Sequence, residues 1–166
     1  LTPFEDLTKA EVMAISPNKE RLRRTHSCIS QRFGTHDGTC YGCVIRHLGA
    51  IAAGIKDVRY AKNPIADHNA EAGNLLSLLV YCQGILTQYQ DMDDYETENI
   101  EIYGKHDLFR RFALDNFAAI HRLVKERKRI RRDVRNVYEE VRASIGTHVF
   151  DARLRELRKA RFAAAF

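Results

Sequence analysis

Hydrophobic residues recur at helical spacing along most of the chain, and this pattern predicts a mainly α fold. The clearest row advances by three or four residues at a time from Ile130 to Ile145, with nearly all the charged residues on the other faces. Gly146 is predicted to end this helix, because glycine tolerates the backbone conformation that follows a last helical turn. No apolar–polar alternation of useful length indicates a β-strand.

Residues that begin or end helices define the other predicted elements. Thr8-Lys9-Ala10-Glu11 has the form of a capping box, so a short helix is predicted from Lys9 to about Ile15, before Pro17. A second helix is predicted from Cys43 to Ala53, with Gly54 at its C-terminal cap. Longer helices are predicted over 67–90, from Asp107 through Val124, and from Asp151 to about Phe162.

Composition narrows the class of protein. The chain has 166 residues, 45% hydrophobic and 30% charged, which suits one compact domain or part of a larger one and does not suit a disordered chain. Its longest apolar stretch, Leu75 to Cys82, is too short to span a bilayer, and no secretory leader precedes it, so membrane and secreted classes are excluded. The uneven cysteine spacing favours a reduced, cytoplasmic compartment. Because the chain begins at Leu1, we expect a further segment upstream.

Charge is distributed unevenly along the chain. The net charge is +3 over residues 1–60, −6 over 61–120, where Asp91 to Glu101 form an acidic connector, and +8 over 121–166. Between Arg122 and Arg135 there are eight cations and two acids. This basic run has three interpretations: the solvated face of an amphipathic helix, a surface for nucleic acid or nucleotide, or a docking site for an acidic partner, the connector 91–101 included.

The strongest chemical signal is a group of cysteines in a loop. Residues 25–42 contain few apolar side chains, so we expect a long loop that needs a metal ion to order it. Cys28, Cys40 and Cys43 can supply three sulfurs to one tetrahedral ion, for which zinc is the best candidate. Candidates for the fourth ligand are Asp37, His36 and His26, with His47 a more distant one. The alternative is three buried free cysteines; Cys82, on a predicted apolar helix, is assigned to the core.

Five short phrases follow one another in the first 60 residues. In order, the phrases are Pro3-Phe4 with Thr8-Lys9-Ala10-Glu11, Thr25-His26-Ser27-Cys28, Asp37-Gly38-Thr39-Cys40-Tyr41-Gly42-Cys43 with Arg46, Ala53-Gly54-Ile55-Lys56-Asp57, and Tyr60. In order and spacing these phrases resemble those of the 7-cyano-7-deazaguanine synthases of queuosine precursor synthesis, which are N-type ATP pyrophosphatases. The family's phrases are PF-x-x-x-(S/T)-K-x-E, T-x-S-C, C-G-x-C-x-x-C-x-x-R, A-G-x-x-D and Y.

The resemblance implies a fold and a chemistry. Members of this family bind ATP on a Rossmann-like α/β domain of the adenine nucleotide α-hydrolase type, and they adenylate the carboxylate of a 7-deazaguanine for conversion to amide and nitrile. Their C-terminal zinc is held by four cysteines. Cys28, Cys40 and Cys43 match three of these, and Asp37 or its neighbour His36 would replace the other. Lys9 matches a lysine that meets the nucleotide phosphates, and the alternative is a solvated lysine in the first turn of its helix. Arg46 could brace the zinc loop or face the substrate, and the bracing role is favoured.

Two departures from the family set the expected domain organisation. The S-G-G-x-D-S phosphate loop is absent from the 166 residues, so the chain alone should not hydrolyse ATP and no catalytic residue is assigned to it. Residues 1–62 are therefore expected to be the C-terminal segment of an ATP pyrophosphatase-like domain, with the zinc loop at 25–46. Residues 63–166 are expected to be an α-helical extension that matches nothing in the family.

Three functions from different classes follow. The first is the C-terminal part of a deazaguanine synthase-like enzyme, as in diverged relatives found with anti-phage defence genes, with ATP bound mostly upstream and a deazaguanine-like substrate. The second is a zinc-stapled basic module that binds nucleic acid. The third is a non-catalytic subunit that docks to a separate ATPase chain. An acidic protein at the basic helices and a second copy of this chain, in a homodimer, are further candidate partners.

Overall fold

The computed structural model describes residues 4–28, 36–63, 65–66, 73–87 and 106–164, and these residues form seven helices. In chain order the helices are α1 (Lys9–Ile15), α2 (Lys19–Arg24), α3 (Tyr41–Ala53), α4 (Gly73–Thr87), α5 (His106–Lys125), α6 (Arg132–Ile145) and α7 (Thr147–Ala163). The predicted mainly α class is confirmed. Within the described ranges, the sole strand-like pairing is an isolated parallel bridge between His36 and Tyr60.

The capping box predicted at the start of α1 is present. The Glu11 amide donates to the Thr8 hydroxyl at 3.2 Å, and the Thr8 amide donates to the Glu11 carboxylate at 2.8 Å. After the predicted break, α2 begins at Lys19, because the Asn18 side chain accepts a hydrogen bond from the Arg21 amide at 2.8 Å. Helix α2 is not predicted from the sequence, because none of its residues is buried and no apolar row marks it.

Several predicted helix boundaries shift. Helix α3 begins two residues before the expected Cys43, because Cys40 serves as its N-cap. Helix α7 begins at Thr147 rather than Asp151, because Gly146, with φ of 81°, ends α6 and allows the next helix to start at once. As a result Phe150 is buried, whereas Phe162 is 52% exposed.

The remaining predicted helices are found where the structure describes them. Of the helix expected over 67–90, the structure describes Gly73–Thr87, and the acidic connector 91–101 lies outside the described residues. Cys82 is fully buried in α4, as predicted, and burial raises its pKa to about 12. The face of α4 that carries Val80 and Tyr81 is exposed, so this helix is less enclosed than its apolar composition predicts. None of the helices described has the length and apolarity to cross a membrane.

One hydrophobic core joins helices on both sides of the predicted boundary at residue 62. Helices α1 and α3 pack against each other and against α5 and α7, while α4 packs against α5 and α6. The core includes Leu48 of α3, Leu79 of α4, Phe117 of α5, Val134 of α6 and Leu157 of α7. The segment that carries the three loop cysteines is therefore attached to residues 63–166 through α3, and the division at residue 62 remains a prediction from the sequence.

A buried charged network also ties α1 to α5 and α7. Arg153 donates to Asp115 at 2.7 Å and to Glu11 at 2.5 Å, and Asp115 also accepts a hydrogen bond from the Thr8 hydroxyl. Burial raises the pKa of Asp115, although its bonds to Arg153 and Thr8 oppose that effect. Arg111 completes the network with a bond to Glu11.

Candidate metal centre

Three cysteines and one aspartate converge at the N-terminal end of α3. One ligand atom from each of Cys28, Asp37, Cys40 and Cys43 lies within 4.8 Å of every other, and the group is buried. Cys28 and Cys40 sulfurs are 4.0 Å apart. A tetrahedral zinc ion with Zn–S bonds of about 2.3 Å places its sulfurs about 3.8 Å apart. These four residues could therefore hold a metal ion, and their spacing and chemistry are compatible with zinc.

The start of α3 places two of the sulfurs. Cys40 is the N-cap of α3 and Cys43 lies in its first turn. The first amides of a helix and its dipole stabilise negative charge, which offsets part of the cost of burying a thiolate at this position. In the absence of an ion, burial raises the pKa of the Cys43 thiol, and the bond it accepts from the Gly38 amide opposes that shift. Metal binding at this site must therefore release protons.

Two glycines allow the loop to close around the cluster. A Cβ added at Gly42 would lie 2.0 Å from the carbonyl oxygen of Ser27, next to Cys28. Gly38 has φ of 89°, and a Cβ there would lie 1.9 Å from the Lys62 carbonyl oxygen. The backbone can approach this closely only where no side chain is present. The segment after Asp37 is further ordered by the Asp37 carboxylate, which accepts hydrogen bonds from the Thr39 and Cys40 amides.

His36, the other candidate for the fourth ligand, lies beside the cluster rather than in it. Its Nδ1 is 3.8 Å from the Cys43 sulfur, and its backbone pairs with Tyr60. Its ring packs against the rings of His26 and Tyr60, with centroids 4.8 Å and 5.6 Å away. Burial and the nearby Arg46 lower the pKa of His36, which favours the neutral ring. His36 is thus placed to contact a ligand sulfur, while Asp37 completes the four-membered group.

Arg46 braces the loop, as the sequence analysis predicts. Its guanidinium is 2% exposed and donates to the Leu22 and Thr25 carbonyl oxygens at 2.6 and 3.0 Å. On its other side it pairs with Asp57, which also accepts a 2.5 Å hydrogen bond from the Tyr60 hydroxyl. The spacing of these residues along the chain carried no signal that Asp57 is the partner of Arg46.

Lys9 lies apart from the metal ligands. It occupies the first turn of α1, where part of the residue is exposed and its side chain lies near Gly49 of α3. Partial burial and the positive charge of Arg46 lower the pKa of Lys9, against the opposing effect of Asp57. The crevice that it lines with Gly49 and Asp115 has a volume of about 10 Å³, roughly that of one water molecule. A role of Lys9 toward nucleotide phosphates remains a prediction.

The basic run is divided by the fold. Arg131 is buried and pairs with Asp133, and Arg122 and Lys125 lie at the end of α5 beside α7. Like Lys125, the other five cations are exposed: Arg127, Lys128, Arg129, Arg132 and Arg135. The run therefore does not form one continuous face.

Comparisons of this chain with protein-family models, curated proteins and solved structures gave no match.

Proposed function

We propose that Cys28, Asp37, Cys40 and Cys43 hold a structural zinc ion. The observation that carries the proposal is the burial of four ligand atoms within 4.8 Å of one another. Among the residues of this region that the structure describes, the apolar cluster consists of the three cysteines and Tyr60. An ion with four protein ligands has no open coordination position, so it would supply a cross-link between the loop and α3 rather than chemistry.

We further propose that the chain is the C-terminal, zinc-binding part of a 7-cyano-7-deazaguanine synthase-like ligase. Such an enzyme uses ATP to adenylate the carboxylate of 7-carboxy-7-deazaguanine or of a diverged substrate, before amide and nitrile formation. The proposal is supported by contacts between three of the matched phrases. Arg46, Asp57 and Tyr60 each belong to a different phrase, and Asp57 accepts hydrogen bonds from both of the others. ATP would be bound mostly by an upstream segment or by a separate ATPase chain.

The metal proposal is tested by measuring the zinc content of three purified proteins. Wild-type protein should contain about one zinc per chain, and the Cys40→Ala/Cys43→Ala variant should contain none and show faster proteolysis within 25–46. Cys82→Ala is the matched control, because Cys82 is a buried cysteine outside the cluster. Full zinc content in the double variant would exclude this ligand set.

The ligase proposal needs a separate assay. The full-length protein, or this chain combined with its ATPase partner, should exchange pyrophosphate into ATP only when 7-carboxy-7-deazaguanine or a related acid is present. Zinc binding without any such exchange would leave the metal site intact and refute the ligase. It would favour the non-catalytic subunit.

A second candidate function is nucleic-acid binding. It is favoured by the five exposed cations between Arg127 and Arg135. Phosphate contacts make affinity fall steeply with salt concentration. Binding of an oligonucleotide that weakens as salt rises, and that is lost when these cations are replaced, would support this function.

A further inference from the structure

A cavity of about 400 Å³ lies at the end of α3 opposite the cysteine cluster. It is bordered by the last residues of α3, the end of α5 and the last turns of α7. Helix α3 has 13 residues, so the cavity and the cluster are separated by about 20 Å of helix. A volume of this size is within the range of small-molecule sites.

The charged side chains that line the cavity are four cations and one acid: Arg122, Lys125, Arg158, Arg161 and Glu126. Two of the arginines are held in place by backbone carbonyls at the end of α3. Arg161 donates to the Gly54 oxygen at 2.5 Å, and Arg122 donates to the Ile51 oxygen at 3.2 Å. Because a guanidinium has five N–H groups in a fixed fork, each arginine retains donors for a further acceptor.

The other two cations, Arg158 and Lys125, make only weak interactions that a bound anion would have to replace. Arg158 forms no salt bridge within the described part of the chain, and its guanidinium carbon lies 5.8 Å from the centre of the Phe162 ring. Lys125 pairs with Asp151 at 2.9 Å, but its side chain is 58% exposed, and an exposed pair of this kind contributes little. An incoming anion can therefore replace the weak partners of these cations.

We propose that this cavity binds the oligophosphate group of a small molecule. Several guanidinium groups around one concave space match the chemistry of adjacent phosphates, which accept paired hydrogen bonds from arginine. A concave site of this size favours a small ligand over a nucleic-acid strand, which needs an extended row of cations. The proposal goes beyond the proposed function and does not rest on it, because none of the cavity residues belongs to the metal cluster.

The test uses sodium tripolyphosphate as the probe and calorimetric titration of the full chain at constant ionic strength. Wild-type protein should bind it, and Arg158→Glu should weaken binding by at least about tenfold, the effect of losing one charge-assisted hydrogen bond. Arg155→Glu is the matched control, since Arg155 is exposed on the same helix, does not line the cavity and carries the same change of charge. It should leave binding within about twofold.

Three results would overturn the proposal: no binding by the wild-type protein, equal weakening by both variants, or displacement of tripolyphosphate by a single-stranded oligonucleotide that binds more tightly. A second measurement on the wild-type protein guards against a variant that fails to fold. Tripolyphosphate, but not sulfate at equal ionic strength, should raise its melting temperature. The zinc content of both variants should be unchanged, so failure here is distinguishable from failure of the metal site.

Discussion

Arg46 and Asp57 form a buried salt bridge in which Nε of the arginine lies 2.9 Å from a carboxylate oxygen. The pair joins α3 to the segment that follows it, eleven residues along the chain. On its other side Arg46 binds carbonyl oxygens that precede Cys28. One cation thus holds both chain segments that flank the cysteine cluster.

Replacing Arg46 with lysine should cost about 3 kcal/mol of unfolding free energy. Lysine places three donors on one atom, so it cannot serve the Asp57 carboxylate and the Leu22 and Thr25 carbonyls together, and buried acceptors would lose their partners. Urea unfolding of the two proteins measures the difference. Arg24→Lys, at an arginine that is 80% exposed, should stay within about 0.5 kcal/mol of wild type. An equally small loss in Arg46→Lys would contradict the bracing role.

The Asp57 interaction predicts a specific loss of stability in acid. Burial raises the pKa of this carboxyl, but the His47 ring 3.9 Å away, the hydrogen bond from the Tyr60 hydroxyl and the charge of Arg46 outweigh burial and lower the pKa to about 2. A carboxyl in the unfolded chain has a pKa of about 3.9, so the Asp57 carboxyl is ionised more readily in the folded protein than in the unfolded chain.

Because the pKa of Asp57 is lower in the folded protein than in the unfolded chain, the ionised carboxylate stabilises the fold and its protonation destabilises it. Asp57 contributes about 2 kcal/mol at pH values above 5, and this contribution disappears as the pH falls from about 4 to about 2. The measurement is the difference in unfolding free energy between wild type and Asp57→Asn as a function of pH. That difference should be constant above pH 5 and shrink below pH 4. Parallel curves across the whole range would show that the carboxylate is not stabilised in the fold.

The glycine at the centre of the Cys40–Cys43 turn should not tolerate a methyl group. Gly42→Ala places a Cβ against the Ser27 carbonyl oxygen, which must move away and take Cys28 with it. We expect zinc affinity to fall by about tenfold or more, measured by competition with a chelator of known affinity.

Gly49→Ala provides the contrast within the same helix. A Cβ at Gly49 meets its nearest neighbour at 3.4 Å, which is ordinary contact, and alanine is the better helix former. This variant should retain its zinc affinity and gain up to about 1 kcal/mol of stability. Equal zinc affinities in the two alanine variants would mean that the close approach at Gly42 is not required for the site.

Arg153 should be the most sensitive residue of the charged network. Arg153→Met leaves Asp115 and Glu11 buried without their main cation, which we expect to cost about 3 to 5 kcal/mol in thermal or urea unfolding. Adding Asp115→Asn should recover part of that loss, because the two residues act as a pair. Arg155→Met, at an exposed position nearby, should change stability by less than about 0.5 kcal/mol. Additive losses in the double variant would argue against a coupled network.

The sequence by itself predicted the features that depend on local geometry. The 3.6-residue period of a helix determines which apolar positions face the core, so the row from Ile130 to Ile145 located α6, and the Thr8 capping box located α1. Residue type and spacing likewise predicted that Cys28, Cys40 and Cys43 lie together as candidate metal ligands. Helix boundaries were predicted less accurately where one residue caps two helices: Gly146 is both the C-cap of α6 and the N-cap of α7.

The tertiary structure decided the contacts between residues far apart in the chain. Asp37 and His36 are adjacent, so spacing could not select between them; the pairing of His36 with Tyr60 aligns Asp37 with the sulfurs and leaves His36 beside them. Spacing also could not show that Arg153 is buried against Glu11, or that Arg122 and Arg161 meet at the end of α3. Periodicity determines the direction of a side chain on its own helix, but the partner it meets depends on how the helices pack.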